Sequence, residues 1–135
     1  MSSFLALGVA TACALVLANC GGRDADQTEP LVTADVSGMT IGDVSYHLPP
    51  EATLLVQQPA IGPEDAPLYD SSQQTSSRWI VLVGCSDREQ VDDSGSVEVS
   101  VISQDDFDES IRAQLDSGDL ADTITCDGRE YRSTP

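Results

Sequence analysis

Hydrophobic residues along this chain change their period several times, and each change marks an element. Phe4 to Ala18 (FLALGVATACALVLA) is an uncharged, largely apolar run of fifteen residues. Ile41, Val44 and Leu48 then recur at spacings of three and four, which puts them on one helix face. Thr40 stands where an N-cap belongs, with Asp43 three residues on. A short polar side chain there satisfies the free amides of a first helical turn. Pro49 and Pro50 stop the helix. Leu31 to Val36 reads as a short strand or extended lead-in before the Ser37-Gly38 turn, and Thr53 to Gln57 (TLLVQ) as a strand.

The strongest strand signal is Arg78 to Gly84 (RWIVLVG), β-branched and aromatic between polar loops. Ser96 to Ile102 alternates instead. Val97, Val99 and Val101 share one phase, with Glu98 and Ser100 on the other. That period of two predicts an antiparallel strand with one buried face and one wet face. Phe107, Ile111 and Leu115 recur every four residues and predict a second helix, capped by Asp105 or Asp106 and stopped at Ser117-Gly118. Acidic residues crowd its first turn, where the helix dipole favours them. Thr123 to Arg132 reads as a hairpin about Asp127-Gly128. Residues 58–77 hold three Pro and the polar run DSSQQTSS, a long exposed loop of the kind that often carries function. Together these elements predict an α+β fold. It has a small antiparallel sheet with one packed helix, and a C-terminal helix and hairpin joined by a disulfide.

Charge narrows the function. Against 23 Asp and Glu stand 6 Arg and no Lys, a net charge of -17. A phosphate-binding face needs clustered Lys and Arg, so nucleic acid is excluded as a partner, and so is a polybasic membrane patch.

The apolar run is short for a bilayer core, which asks for roughly 20 residues, and fits the hydrophobic region of a signal peptide. It ends at Leu17-Ala18-Asn19-Cys20, followed by Gly21-Gly22. This resembles a bacterial lipobox, in which the Cys is lipidated and becomes the first mature residue. Asn19 stands where a small residue is usual, and ordinary cleavage after Ala18 is the rival. Cysteine arithmetic favours lipidation. Of four Cys, Cys13 leaves with the signal and Cys20 takes the lipid, so Cys85 and Cys126 remain as an even pair for a disulfide in an oxidising compartment. The expected organisation is therefore a signal peptide at 1–19, a lipidated tether at 20–30, a domain at 31–102 and a C-terminal helix-hairpin extension at 103–135. Every charged side chain lies after Cys20.

Asp35-Val36-Ser37-Gly38-Met39-Thr40 with Val44 and Leu48, then Trp79 to Cys85 (WIVLVGC), then Ser94 to Val101 (SGSVEVSV) resemble the opening, second strand and closing strand of a PASTA domain. The likeness spans about 31–102. The whole chain is similar in plan to secreted lipoproteins of actinobacterial type. Ala34 stands where the family has Pro, and SDREQVDDSG (86–95) where it has a Pro-containing turn. PASTA domains are extracellular modules of penicillin-binding proteins and serine/threonine kinases, implicated in recognising peptidoglycan fragments. The resemblance implies a non-enzymatic module and carries no set of binding residues.

The candidate chemistry is sparse. His47 is the single His, and no nucleophile-elbow motif accompanies it, so a triad is not expected. Asp92-Asp93 and Asp105-Asp106-Asp108-Glu109 lack the spacing of a Ca²⁺ loop. Cys85 and Cys126 have no further Cys or His cluster for zinc, so a structural disulfide is preferred and neither metal nor cofactor is expected. Arg78 and Trp79 adjoin the long loop and are the candidate ligand-binding residues. The expected function is a monomeric cell-envelope lipoprotein, held to the membrane by its lipid and otherwise secreted. Its expected role is binding or scaffolding of a cell-wall fragment or an envelope protein. The alternatives are an acidic decoy or inhibitor of a basic extracytoplasmic partner, and an envelope hydrolase through His47.

Overall fold

Two adjacent strands, β2 (Trp79–Ser86) and β3 (Ser96–Ser103), are buried along almost their whole length and organise everything around them. The computed structural model describes residues 29–134; the predicted signal peptide, Cys20 and most of the tether lie outside the described residues. The fold is α+β, with element order α1 (Ile41–His47), β1 (Thr53–Gln57), β2, β3, α2 (Glu109–Ser117) and β4 (Tyr131–Arg132). The four strands form one sheet in the order β1-β3-β2-β4.

The sheet is mixed where an antiparallel one was expected. β2 and β3 pair antiparallel, but β1 pairs parallel to β3, with Thr53 opposite Ser96 and Gln57 opposite Ser100. The cause is insertion. β1 leads into the 58–77 loop, β2 returns, and β3 then wedges between the two, running the same way as β1. The predicted C-terminal hairpin is also absent. Tyr131 and Arg132 pair with Ser86 and Cys85 of β2 instead. Backbone amides that a hairpin would use, those of Thr125 and Cys126, bond the carboxylate of Glu98.

Both faces of the two central strands, β2 and β3, are dry, while the edge strands are partly exposed. On one face, Ile41 and Val44 of α1 pack with Val36, Val81, Val97, Val99 and Val101. On the other, Ile111 and Leu115 of α2 pack with Ile80, Leu82, Val83 and Ile102. The wet face predicted for β3 does not exist, because α2 and the segment after it cover it. Glu98 is 3% exposed and Ser100 fully buried. Two helices therefore sandwich the sheet, where one was expected.

A bulge in β2 makes this possible. Val81 opposes Val101 and Val83 opposes Ser100, which leaves Leu82 as an extra residue. Leu82 and Val83 both pack on the α2 side. The phase of the strand thereby flips. Gly84 turns toward α1, where a Cβ would sit 2.5 Å from Val36 Cγ2, and Cys85 turns toward α2. Without the extra residue Cys85 would face away from Cys126. The Val83 amide bonds Ser100 Oγ at 3.2 Å.

The helix ends follow local rules. Thr40 accepts from the Asp43 amide at 3.1 Å, as its spacing predicts. The cap of α2 is Asp108, not Asp105 or Asp106. Asp108 accepts from the Ile111 amide at 2.9 Å, while Gln104–Asp106 make a separate 3-10 turn. Gly118 ends α2 with φ 82, a left-handed conformation that glycine takes without strain.

Candidate functional site

The 58–77 loop is pinned at several points and builds a groove. The Gln58 side chain donates to Pro67 O at 2.7 Å and accepts from the Tyr69 amide at 2.7 Å. Asp70 and Gln73 close a capping box on the turn Ser71–Gln73. Ser45 Oγ donates to Gln74 O at 2.7 Å, which ties the loop to α1. Its far end meets the start of β2 and the end of β3, where the Gln104 amide donates to Arg78 O at 2.7 Å. Between them lies a cavity of about 490 Å³ lined by Arg78, Trp79, Gln73, Ser103, Gln104 and Asp105. A second cavity of about 300 Å³ adjoins it across Ser103, under Leu68 and Ile102.

Arg78 and Trp79 thus share one site but play unlike parts. Arg78 is exposed, and among the described residues it makes no ion pair. Trp79 is 2% exposed. Its ring meets Tyr69 edge-on, centroids 5.4 Å apart, within the α1-side core. At that burial it offers the groove little surface for stacking. Burial, and then the neighbouring Asp70 charge, push the Tyr69 phenol above its ordinary pKa. The groove sits at one end of the sheet. The chain arrives at the other end, where Leu31 N–H donates to Asp92 Oδ1 at 2.7 Å and Thr33 N–H to Glu89 O at 2.8 Å.

His47 pairs with a carboxylate, its Nδ1 lying 3.1 Å from Asp92 Oδ2. Among the described residues no serine hydroxyl bonds the imidazole, so the geometry assembles His and Asp without a nucleophile. Asp92 spends its other oxygen on Leu31. Asp105 and Asp106 lie at the groove rim, and Asp108 is spent as a cap.

Cys85 and Cys126 are bonded, Cα atoms 5.9 Å apart. The sequence reading missed what surrounds them. Glu98 Oε1 accepts from the amides of Thr125 at 2.8 Å and Cys126 at 3.1 Å. Oε2 takes Arg129 Nη1 at 3.4 Å, and Arg129 Nε donates to Ser96 Oγ at 2.9 Å. One ligand atom each from Cys85, Cys126 and Glu98 lie within 4.8 Å of one another. One signal did point here. Ile102 occupies the same phase as Glu98 and Ser100, and an apolar residue in a supposedly wet phase says that the face is covered.

Comparison of the chain with protein-family models, curated proteins and solved structures finds no match. Among the described residues no helix is long and apolar enough to cross a membrane.

Proposed function

We propose that this protein is a cell-envelope lipoprotein, anchored through Cys20, that binds a cell-wall fragment non-enzymatically in the groove at Arg78. The observation that carries the reading is a guanidinium with no ion pair among the described residues, in a polar-lined cavity, on a chain with 23 acidic residues and few cations. A planar guanidinium is suited to bidentate capture of a carboxylate, and Gln73, Ser103 and Gln104 offer amides and a hydroxyl beside it. Position supports the same reading. A tether of residues 20–30 spans at most roughly 35 to 40 Å when extended. It would join the end of the sheet away from the groove, leaving the groove turned outward.

Two measurements test it. Full chain is mixed with purified peptidoglycan at low and high salt, alongside Arg78→Ala. Binding that survives high salt and falls at least tenfold in the variant supports the groove. Salt-sensitive binding to a basic protein partner that ignores Arg78 would favour the acidic decoy reading instead, which rests on the net charge of -17. No binding to peptidoglycan overturns the proposal. Intact mass of the membrane-extracted protein tests the anchor. A diacylated Cys20 with a two-hydrogen loss is expected, and an unmodified chain beginning at Asn19 would sink it.

A further inference from the structure

We infer that the reduced form of this protein binds a thiophilic divalent cation, best matched by Zn²⁺, through Cys85, Cys126 and Glu98. The same three side chains would then alternate between a disulfide and a metal centre. The donor set is two sulfurs and one carboxylate oxygen, already gathered within 4.8 Å. Zinc takes sulfur at about 2.3 Å and carboxylate oxygen at about 2.0 to 2.2 Å in a tetrahedron. Its sulfurs therefore stand about 3.8 Å apart, a modest opening from the bonded pair. Cys85 is fixed within β2. The opening falls to Cys126, which lies outside any strand or helix and is partly exposed. That exposure also gives the ion a path and leaves room for water as a fourth ligand.

Charge balance selects the ion. In the disulfide form the buried Glu98 carboxylate is offset by Arg129, and an unpaired buried charge is costly. Reduction by a small dithiol adds two electrons and two protons to the disulfide, and the dithiol leaves as its own cyclic disulfide. The two thiol protons then pass to solvent as a dication enters. Two thiolates, one carboxylate, one guanidinium and a dication sum to zero. A monovalent soft ion would leave the site negative, and Mg²⁺ or Ca²⁺ would waste the sulfurs. The carboxylate is held for the purpose. The Thr125 and Cys126 amides grip Oε1, and Arg129, itself braced on Ser96, grips Oε2. Such outer partners orient a metal ligand. The site is independent of the groove, so either can fail alone.

The full chain, reduced anaerobically with a phosphine, is titrated with Co²⁺ as a spectroscopic probe. A near-ultraviolet thiolate-to-metal absorption saturating at one ion per chain is expected, with release of about two protons and displacement by Zn²⁺. The disulfide form should show none of it. Cys126→Ser should abolish the band. Glu98→Gln keeps the side-chain shape and should weaken binding at least tenfold. Trp79 emission reports folding throughout. Absence of the band, or a band seen only when Trp79 reports an unfolded chain, overturns the inference. So does unchanged affinity in a folded Glu98→Gln.

Discussion

The two faces of the sheet are built by different means. Against α1 the sheet presents Val81, Val97, Val99 and Val101, a chiefly aliphatic surface with Trp79 at one end and buried Ser86, bonded to Thr33, at the other. Against α2 it presents Ile80, Leu82, Val83 and Ile102, but also buried Ser100, Glu98 and the disulfide. Ser100 Oγ bonds Thr123 Oγ1 at 2.7 Å and receives the Val83 amide left by the bulge. Apolar packing is tolerant, because any residue of the right volume restores much of it. A buried polar network is not, because each missing partner leaves another group unsatisfied. The α1 face should therefore lose stability gradually on mutation and the α2 face abruptly.

Removing the staple should have the largest effect. The bond spans 41 residues, and the chain-entropy model gives about 4 kcal/mol for a loop of that size. Cys85→Ala with Cys126→Ala should lower the unfolding free energy by that amount, read by urea unfolding with Trp79 fluorescence. A loss below 1 kcal/mol would mean that the C-terminal segment is held chiefly by α2 and the Glu98 contacts.

Next comes the ion pair. Arg129→Ala leaves a nearly buried carboxylate without its cation and should cost about 3 kcal/mol, the lower part of the range for breaking such pairs. The lower part applies because the Arg129 side chain keeps 11% exposure. Replacing both partners by Glu98→Leu and Arg129→Met should recover most of that loss. If the double variant is no better than Arg129→Ala, the carboxylate matters more for holding the Thr125 and Cys126 amides than for its charge.

On the aliphatic face the expected cost is smaller. Val99→Ala removes two methyl groups from a fully buried site. Transfer and cavity together come to about 2 kcal/mol. A loss well above 3 kcal/mol would show that the two faces do not differ in tolerance.

The same division explains what the sequence discloses. The α1 face is legible because its signals are local: Thr40 and Asp43 at capping distance, Ile41 and Val44 on one stripe, valines in strict alternation. Strand β1 and the long loop were equally plain, and so was the pairing of Cys85 with Cys126 by count. The α2 face is not legible in the same way. Glu98 reads as solvent-facing by its neighbours, and only the return of the chain after Leu115 buries it. The bulge at Leu82 leaves no mark in a run of β-branched and apolar residues, yet it decides which way Cys85 points. Parallel pairing of β1 is likewise set by the insertion of β3, which no local spacing encodes. In the groove, Arg78 was visible as an odd cation beside a long loop. Gln73 and Gln104 were not, since they meet it only through the loop's return and the end of β3.

The smallest effect concerns the link between the aliphatic core and the groove. Tyr69 packs edge-on against Trp79, and its phenol titrates above its ordinary value of 10.0, from burial first and Asp70 second. A raised pKa means that the folded state holds the phenolic proton more tightly than the unfolded chain does. The contribution is fully present below pH 10 and is lost as pH climbs through the folded value. Stability should therefore fall on an alkaline limb that begins near pH 10, where unfolded tyrosine starts to ionise. Tyr69→Phe keeps the ring contact and removes the titrating group, so the limb should flatten while stability at pH 7 stays within about 0.5 kcal/mol. Urea midpoints at pH 7, 9, 10 and 10.5 decide it. An unchanged alkaline limb in Tyr69→Phe would assign that limb to other groups, leaving Tyr69 as packing alone. A large loss at pH 7 would instead show that the hydroxyl holds the loop, and that the groove depends on the aliphatic face more tightly than its exposure suggests.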